Sequence, residues 1–265
     1  MRLLVVGAGS TGGYFGGRLA QAGRDVTFLV RPRRAAQLQE GGLQIVSPHG
    51  DVTVRPKLVT ADDIDAPYDA YSLDGAIDDF ATAVGPETTI VPVLNGMRHV
   101  DILVEREWDG AVSARMEALD AFMQGAGFDA RLSRSIEYEM WEKWTLLATV
   151  GGITCLMRGN IGEVVAAPGG ASFIRSFLDE VVSVVSAAGQ APKAAFVEDT
   201  RTTLTTPGST QSPSMFRDLL QGSPIEADQI IGDLLARGAK AGIPTPLLAA
   251  AYANMSVYQD RLAQS

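Results

Sequence analysis

The chain opens on Leu3-Leu4-Val5-Val6-Gly7-Ala8-Gly9-Ser10-Thr11-Gly12, an apolar run followed directly by glycines spaced GxGxxG. An apolar, helix-compatible stretch, 14–20, comes next. In the order strand, turn, helix, the first glycine permits a tight turn, the second lets the backbone approach a pyrophosphate, and the third lets the helix pack closely. We therefore predict a dinucleotide site at Gly7, Ala8, Gly9, Ser10, Thr11 and Gly12, with helix N-terminal amides facing the phosphates.

The second predicted strand, 25–30, indicates which dinucleotide is bound. It ends in Arg31-Pro32-Arg33-Arg34, where an NAD site usually carries a carboxylate for the ribose 2′-hydroxyl. Guanidinium groups suit a phosphate dianion, so the sequence predicts NADP(H), with Arg31 at the carboxyl end of the strand as its ligand. Arg33 and Arg34 are equally well explained as the solvated start of a helix.

Composition restricts the class of protein. The 265 residues are 46% hydrophobic, enough for one large core or two modest ones, and the net charge of −9 argues against nucleic acid or an anionic membrane as a partner. No apolar stretch reaches the roughly 18 residues that span a bilayer. A strand directly after Met1-Arg2 leaves no room for a signal peptide, so we expect a cytoplasmic protein. One cysteine and two histidines predict neither an internal disulfide nor a histidine-built metal site.

The pattern of predicted secondary structure changes near residue 134. Before it, strand-like and helical runs alternate, which is typical of a doubly wound α/β sheet. After it, helical periodicity dominates. We predict a Rossmann-like NADP-binding domain at 1–134 and an all-helical domain at 135–265. The predicted elements of the first domain, besides those already given, are a helix at 33–40, a hairpin at 43–46 and 52–55, a helix at 73–84, a strand at 89–94, a helix at 112–126 and a strand at 128–132. The helical segments of the second are 136–157, 171–189, 194–204 and 224–262.

Two places do not fit this alternation. A buried strand is missing between the hairpin and helix 73–84, and a helix runs straight into a helix around 105–110. Either the fold is truncated, or residues are missing near the 70/71 junction and within 105–110; the spacing favours missing residues.

Two groups of polar residues in the second half could carry chemistry. Lys143 lies among aromatic residues in Met140-Trp141-Glu142-Lys143-Trp144, where an ammonium near a cofactor could donate a proton. Glu226 and Asp228 are two positions apart, so they face different sides of a helix and one of them could face a cleft. From the residues alone, the same pattern also fits an exposed lysine and solvated acids.

Five motifs are found in a fixed order: Gly7-Ala8-Gly9-Ser10-Thr11-Gly12, Asn95-Gly96-Met97, Glu139-Met140-Trp141-Glu142-Lys143, Ser214-Met215-Phe216-Arg217-Asp218 and Glu226-Ala227-Asp228. In this order they resemble the ketopantoate reductase (2-dehydropantoate 2-reductase) family over almost the whole chain. The resemblance implies a Rossmann domain, a helical domain and a substrate cleft between them. It also implies NADPH-dependent reduction of 2-dehydropantoate to pantoate by hydride transfer to the C2 ketone, in pantothenate biosynthesis.

The resemblance also implies roles for individual residues. Lys143 matches the catalytic lysine, which would polarise the ketone and supply the proton, and Glu226 matches the glutamate that would accept from the substrate hydroxyl. Asn95 matches the asparagine that orients the reacting centre beside the nicotinamide, and thus touches both substrate and cofactor. Ser214 matches the serine that binds the substrate carboxylate, and Arg31 the arginine on the 2′-phosphate.

Departures from the family pattern leave the substrate open. Leu147 and Gly151 stand where the family commonly has substrate-holding asparagines, and Gln211 replaces another asparagine while keeping an amide for the substrate. A second family lysine, expected just before Tyr71, is not visible. Another small 2-keto acid as substrate, or a catalytically inactive NADP-binding sensor, stays as an alternative, and His99 is an alternative acid. The expected partner is a small 2-keto acid, and a homodimer is compatible with a helical second domain.

Overall fold

The computed structural model describes residues 1–63, 69–71, 84–85, 88–89, 91, 95, 97 and 113–264. These residues group into two compact units, the first drawn from Met1–Leu94 and Arg106–Arg134, the second from Asn95–Glu105 and Ser135–Ser265. Several predictions lie wholly or largely outside the described residues: helix 73–84, strand 89–94, the suspected gap within 105–110, and His99.

The first unit contains a parallel sheet, which confirms the α/β prediction for this half of the chain. Its strands β1 (Leu3–Val6), β2 (Val26–Leu29), β5 (Lys57–Val59) and β6 (Asp69–Tyr71) are ordered β5-β2-β1-β6. Leu3 is in register with both Val26 and Asp69. The short β6 spans the 70/71 junction, so a strand of three residues stands where the sequence left a strand unaccounted for.

Helices and a hairpin complete the described part of the first unit. The predicted hairpin is confirmed as antiparallel β3 and β4, and the helix predicted at 33–40 is confirmed as α2. The bounds are α1 Ser10–Gln21, α2 Pro32–Gly41, β3 Leu43–Ile45, β4 Val52–Val54 and α3 Ala114–Met123.

Two glycines let α1 lie close to both the sheet and the hairpin. A Cβ on Gly16 would come within 2.7 Å of the Phe28 ring and 2.8 Å of Val5, and one on Gly17 would meet the Ile45 side chain. Phe28 and Ile45 are themselves buried. The glycines inside α1 are therefore packing residues, which set the distance between the helix and β1 and β2.

The strand predicted at 128–132 is wrong. These residues have no strand partner in the described structure and are held by side chains. Phe128 packs edge-on against Phe15 with ring centroids 4.9 Å apart, and the Gln124 side-chain amide donates to the Ala130 carbonyl at 3.1 Å. Alternating polarity is compatible with a strand, but it does not by itself provide a neighbouring strand to pair with.

The second unit is helical in its described part, which confirms the other half of the fold prediction. The predicted segment 136–157 is confirmed as the 22-residue helix α4. The helices are α4 Ile136–Met157, α5 Ile161–Ala166, α6 Gly170–Ala188, α7 Ala194–Leu204, α8 Ser214–Leu220, α9 Asp233–Lys240 and α10 Pro246–Ala263, and a π-helical turn, Asp228–Gly232, precedes α9.

The stretch predicted as helical over 224–262 is divided into three elements. Gly242 adopts φ +70°, a left-handed conformation that ends α9, and Pro246 opens α10. The start of α10 is capped from another helix: the amides of Leu247 and Leu248 donate to the Glu180 carboxylate at 3.1 and 2.7 Å. A carboxylate at a helix N-terminus satisfies free amides and complements the helix dipole.

The core of the second unit is built around α4, which stays helical although it buries several threonines. Thr145, Thr149 and Thr154 each donate their hydroxyl to the carbonyl four residues earlier, at 2.7–2.8 Å. Their polar groups are thereby satisfied within the helix, and their methyl groups remain free to pack. This arrangement lets α4 pack against α6 and α10 without burying an unpaired hydroxyl.

Cys155, near the end of α4, is a packing residue. It is fully buried, and burial raises the pKa of its thiol to about 12. A thiol with this pKa carries almost no thiolate at pH 8, so we expect a thiol-specific reagent such as dithionitrobenzoate to leave the folded protein unmodified and to react fully in denaturant. Prompt reaction of the native protein would contradict this assignment.

Candidate active site

The glycine turn between β1 and α1 has the conformation that its sequence predicted. Gly7 adopts φ +86°, its amide donates to the Leu29 carbonyl at 2.9 Å, and α1 begins at Ser10 after Gly9 as N-cap. A Cβ on Gly12 would collide with the Gly7 carbonyl oxygen. No side chain caps the first turn of α1, and no acidic residue lies in it. These amides therefore fit a dinucleotide pyrophosphate.

The arginines after β2 lie at the start of α2. Arg31 is the N-cap of α2: its carbonyl accepts from the amides of Arg34 and Ala35, and its side chain is exposed. The Arg34 guanidinium donates to the Ala8 carbonyl at 3.2 Å, so Arg34 contacts the glycine turn. Arg34 is exposed, as predicted for the start of a helix, and its contact with Ala8 could have been anticipated only from its spacing, one turn into the helix from Arg31.

Asn95 and Glu226 lie together in the second unit. The Asn95 side-chain amide donates to Oε2 of Glu226 at 2.9 Å, although 131 positions separate the two residues. The structure also separates the roles of the two acids. Asp228 accepts from the Tyr252 hydroxyl at 2.8 Å, and this hydrogen bond is the main cause that raises the pKa of the phenol. Glu226, and not Asp228, is thus the carboxylate next to Asn95.

Lys143 lies in α4 between the buried residues Trp141 and Trp144. Its side chain is exposed, while Trp141 and Trp144 are 4% and 1% exposed. Further along the helix, Leu147 is half-buried and Gly151 is buried. A Cβ on Gly151 would collide with the methyl group of Met215, so the space beside this glycine is filled by a thioether.

Ser214 and Gln211 lie at and before the start of α8. Ser214 is the first residue of that helix and is exposed. The backbone of Gln211 is tied to its neighbours, since its carbonyl accepts from Ile161 at 3.2 Å and its amide donates to Ser209 Oγ at 3.3 Å. Its side-chain amide makes no hydrogen bond among those described, and stays a predicted substrate ligand.

Two other kinds of site find no support in the described part of the chain. No group of three histidine, cysteine or acidic side chains there could hold a metal ion. None of the described helices is long and apolar enough to cross a membrane.

Comparison with protein families matches both halves of the chain. The family described as ketopantoate reductase PanE/ApbA matches residues 3–127, and its C-terminal counterpart matches residues 135–259. An uncharacterized oxidoreductase, YkpB of Bacillus subtilis, is 31% identical over 300 aligned positions, covering 98% of this chain and 99% of the relative. The alignment is longer than the 265 residues here, so the relative carries residues without a counterpart in this chain.

Other relatives carry more specific names. A 2-dehydropantoate 2-reductase of Archaeoglobus fulgidus is 27% identical over 274 positions, covering 91% of this chain and 92% of the relative. Among solved structures, a 2-dehydropantoate 2-reductase from Methylococcus capsulatus has a TM-score of 0.83 at 23% identity, covering 100% of this chain and 99% of that one. D-mandelate dehydrogenase with NADH and anilino(oxo)acetate has the same TM-score at 19% identity, covering 99% and 100%.

The structural likenesses, at these identities, show a shared fold. The family matches account for nearly the whole chain, from the glycine turn to the last helix. The chain belongs to the ketopantoate reductase family and is an oxidoreductase of that family.

Proposed function

We propose that this chain catalyses the NADPH-dependent reduction of 2-dehydropantoate to pantoate. The observation that carries the proposal is the 2.9 Å hydrogen bond from Asn95 to Glu226. It brings together two residues from separate motifs of the sequence, and the other carboxylate oxygen of Glu226, which has no hydrogen bond among the described residues, would accept from a substrate hydroxyl. When bound at the glycine turn, NADPH would supply the hydride.

The chain's own residues would supply orientation and the proton. The Lys143 ammonium would donate to the keto oxygen and protonate it as the alkoxide forms. Asn95 would hold Glu226 in place, and Glu226 would accept from the new hydroxyl. Ser214 would bind the carboxylate through its hydroxyl, with the Gln211 amide as a second donor.

The test is an absorbance assay of NADPH oxidation with a panel of 2-keto acids. The panel contains 2-dehydropantoate, linear and branched aliphatic acids, and aryl 2-keto acids. Preference for 2-dehydropantoate would support the proposal. Absence of turnover with every member would overturn it and leave an NADP-binding sensor.

A reductase of another small 2-keto acid is the second candidate. Leu147 presents a hydrocarbon side chain one turn after Lys143, and Met215 occupies the space beside Gly151. Neither offers a donor to a polar group on the substrate. These apolar side chains favour a substrate without a distal hydroxyl. In the same panel, this second candidate predicts a higher kcat/KM for plain branched or aryl acids than for 2-dehydropantoate.

Arg31 gives a test of cofactor choice. We expect Arg31→Ala to raise the KM for NADPH about 10- to 100-fold, because a charge-assisted hydrogen bond to the 2′-phosphate would be lost. The KM for NADH should change little. Arg33→Ala is the matched control, since Arg33 is also exposed and lies in the first turn of the helix that Arg31 caps. Equal weakening of both cofactors in Arg31→Ala would indicate a packing role.

A further inference from the structure

Two hydrogen bonds join α4 to the segment that carries Glu226. The indole Nε1 of Trp144 donates to the Ile230 carbonyl at 2.9 Å, and the Ile230 amide donates to the Glu226 carbonyl at 3.1 Å. Trp144 directly follows Lys143 in α4. We propose that Trp144 is a positioning residue that fixes Glu226 relative to the helix of Lys143; this rests on the proposed function, which assigns catalysis to those two residues.

The indole bond lies in a dry environment. Trp144 is 1% exposed and Ile230 is 3% exposed, so water cannot replace the indole as the partner of this carbonyl. Removing the indole N–H takes one hydrogen bond from a buried carbonyl, and we expect the backbone around it to shift. Such a shift would act first on Glu226, because the Glu226 carbonyl accepts a hydrogen bond from the Ile230 amide.

The Trp144 bond reaches a π-helical turn. Ile230 lies within Asp228–Gly232, where the Asp233 amide reaches back five residues to the Asp228 carbonyl. Such turns are wider than α-helix and interrupt its regular ladder, and they are frequent at functional sites. A donor from α4 ties this irregular segment to a straight, well-packed helix.

The indole of Trp144 is itself held in place. The Arg237 guanidinium lies 5.4 Å from its ring centroid and 5.5 Å from that of Trp141, and Arg237 is paired with Asp233 at 3.2 Å. The two charged side chains are 17% and 19% exposed. This stack restricts the rotation of the indole and keeps its N–H directed at the carbonyl.

Trp141 provides a matched control on the same helix. It is also buried and stacked, with its ring centroid 5.4 Å from that of Trp144 and the same arginine beside both. Its Nε1, however, has no hydrogen-bond partner among the described residues. Replacing either tryptophan by phenylalanine removes the same atoms, and only one replacement breaks the link to Glu226.

The experiment compares Trp144→Phe with Trp141→Phe in the full chain. Each variant is mixed with NADPH and the best 2-keto acid of the panel, and the rate constant of NADPH oxidation is measured in a single turnover. A single-turnover rate constant does not depend on the fraction of folded protein. We expect about a tenfold or greater loss for Trp144→Phe, since small misplacement of a catalytic group is costly, and less than about twofold for Trp141→Phe. NADPH affinity should be unchanged in both.

A second replacement covers the case in which Trp144→Phe does not fold. Benzothienylalanine, incorporated at position 144, keeps the bicyclic shape and puts sulfur in place of the N–H. The same loss of rate with this residue would support the inference. Equal rates for wild type and the benzothienyl protein, or equal losses in the two phenylalanine variants, would overturn it while leaving the proposed function intact. Absence of turnover by the wild type would overturn both.

Discussion

Lys143→Ala is expected to lower kcat by about two to four orders of magnitude, the range that general acid catalysis contributes. The reason is the loss of the only proton donor that the proposal places at the keto oxygen. The Lys143 side chain is exposed, and other residues of α4 form the buried face of the helix, so alanine should not disturb folding. The measurement is steady-state kinetics of NADPH oxidation, with NADPH affinity followed by fluorescence titration.

The control is Lys240→Ala, which removes an exposed lysine from the last turn of α9. It changes the net charge by the same amount and should retain kcat within about twofold of wild type, as most surface substitutions do. A Lys143→Ala enzyme with kcat near wild type would show that the proton comes from another group, and His99 would then be tested next.

Glu226→Gln is expected to lower kcat by about a hundredfold. The amide oxygen of glutamine can still accept from Asn95, so the local geometry is kept while the negative charge is lost. An uncharged group accepts from the substrate hydroxyl more weakly than a carboxylate does. Thermal unfolding should be unchanged, because the Glu226 side chain is exposed.

Asp228→Asn is the matched control for this substitution. It makes the same chemical change two residues away, at an exposed acid whose partner is Tyr252 in α10 and not Asn95. We expect its kcat to stay within about threefold of wild type, as for a substitution outside the reacting centre. If Asp228→Asn proves as damaging as Glu226→Gln, the effect is one of negative charge in this region, and the role given to Glu226 is wrong.

Much of the fold could be predicted because its signals are local. The glycine turn requires a positive φ at Gly7, and the stretch predicted as helical over 136–157 is one uninterrupted helix of 22 residues. The errors arose where tertiary context decides. Residues 128–132 alternate in polarity but pair with no strand among the described residues, and the 224–262 stretch contains a π-helical turn that the sequence pattern does not signal.

The candidate site was less accessible to local reasoning. Spacing alone could not choose between Glu226 and Asp228, since both are exposed acids; the choice depends on contacts with Asn95 and Tyr252 far away in sequence. Resemblance of ordered motifs supplied what spacing could not. The contact of Arg34 with Ala8 was missed, because three neighbouring arginines look alike until the helix that carries them is placed.

The π-helical turn has a consequence for how related chains could diverge. One additional residue in this turn rotates the residues just before it, Glu226 among them, by about 100° around the helix axis relative to α9. A relative lacking that residue would keep the apolar side of α9 facing inward, yet its counterpart of Glu226 would point to a different quarter of the helix. The number of residues in the turn at Asp228–Gly232 can therefore change the direction of the carboxylate while the packing of α9 stays the same.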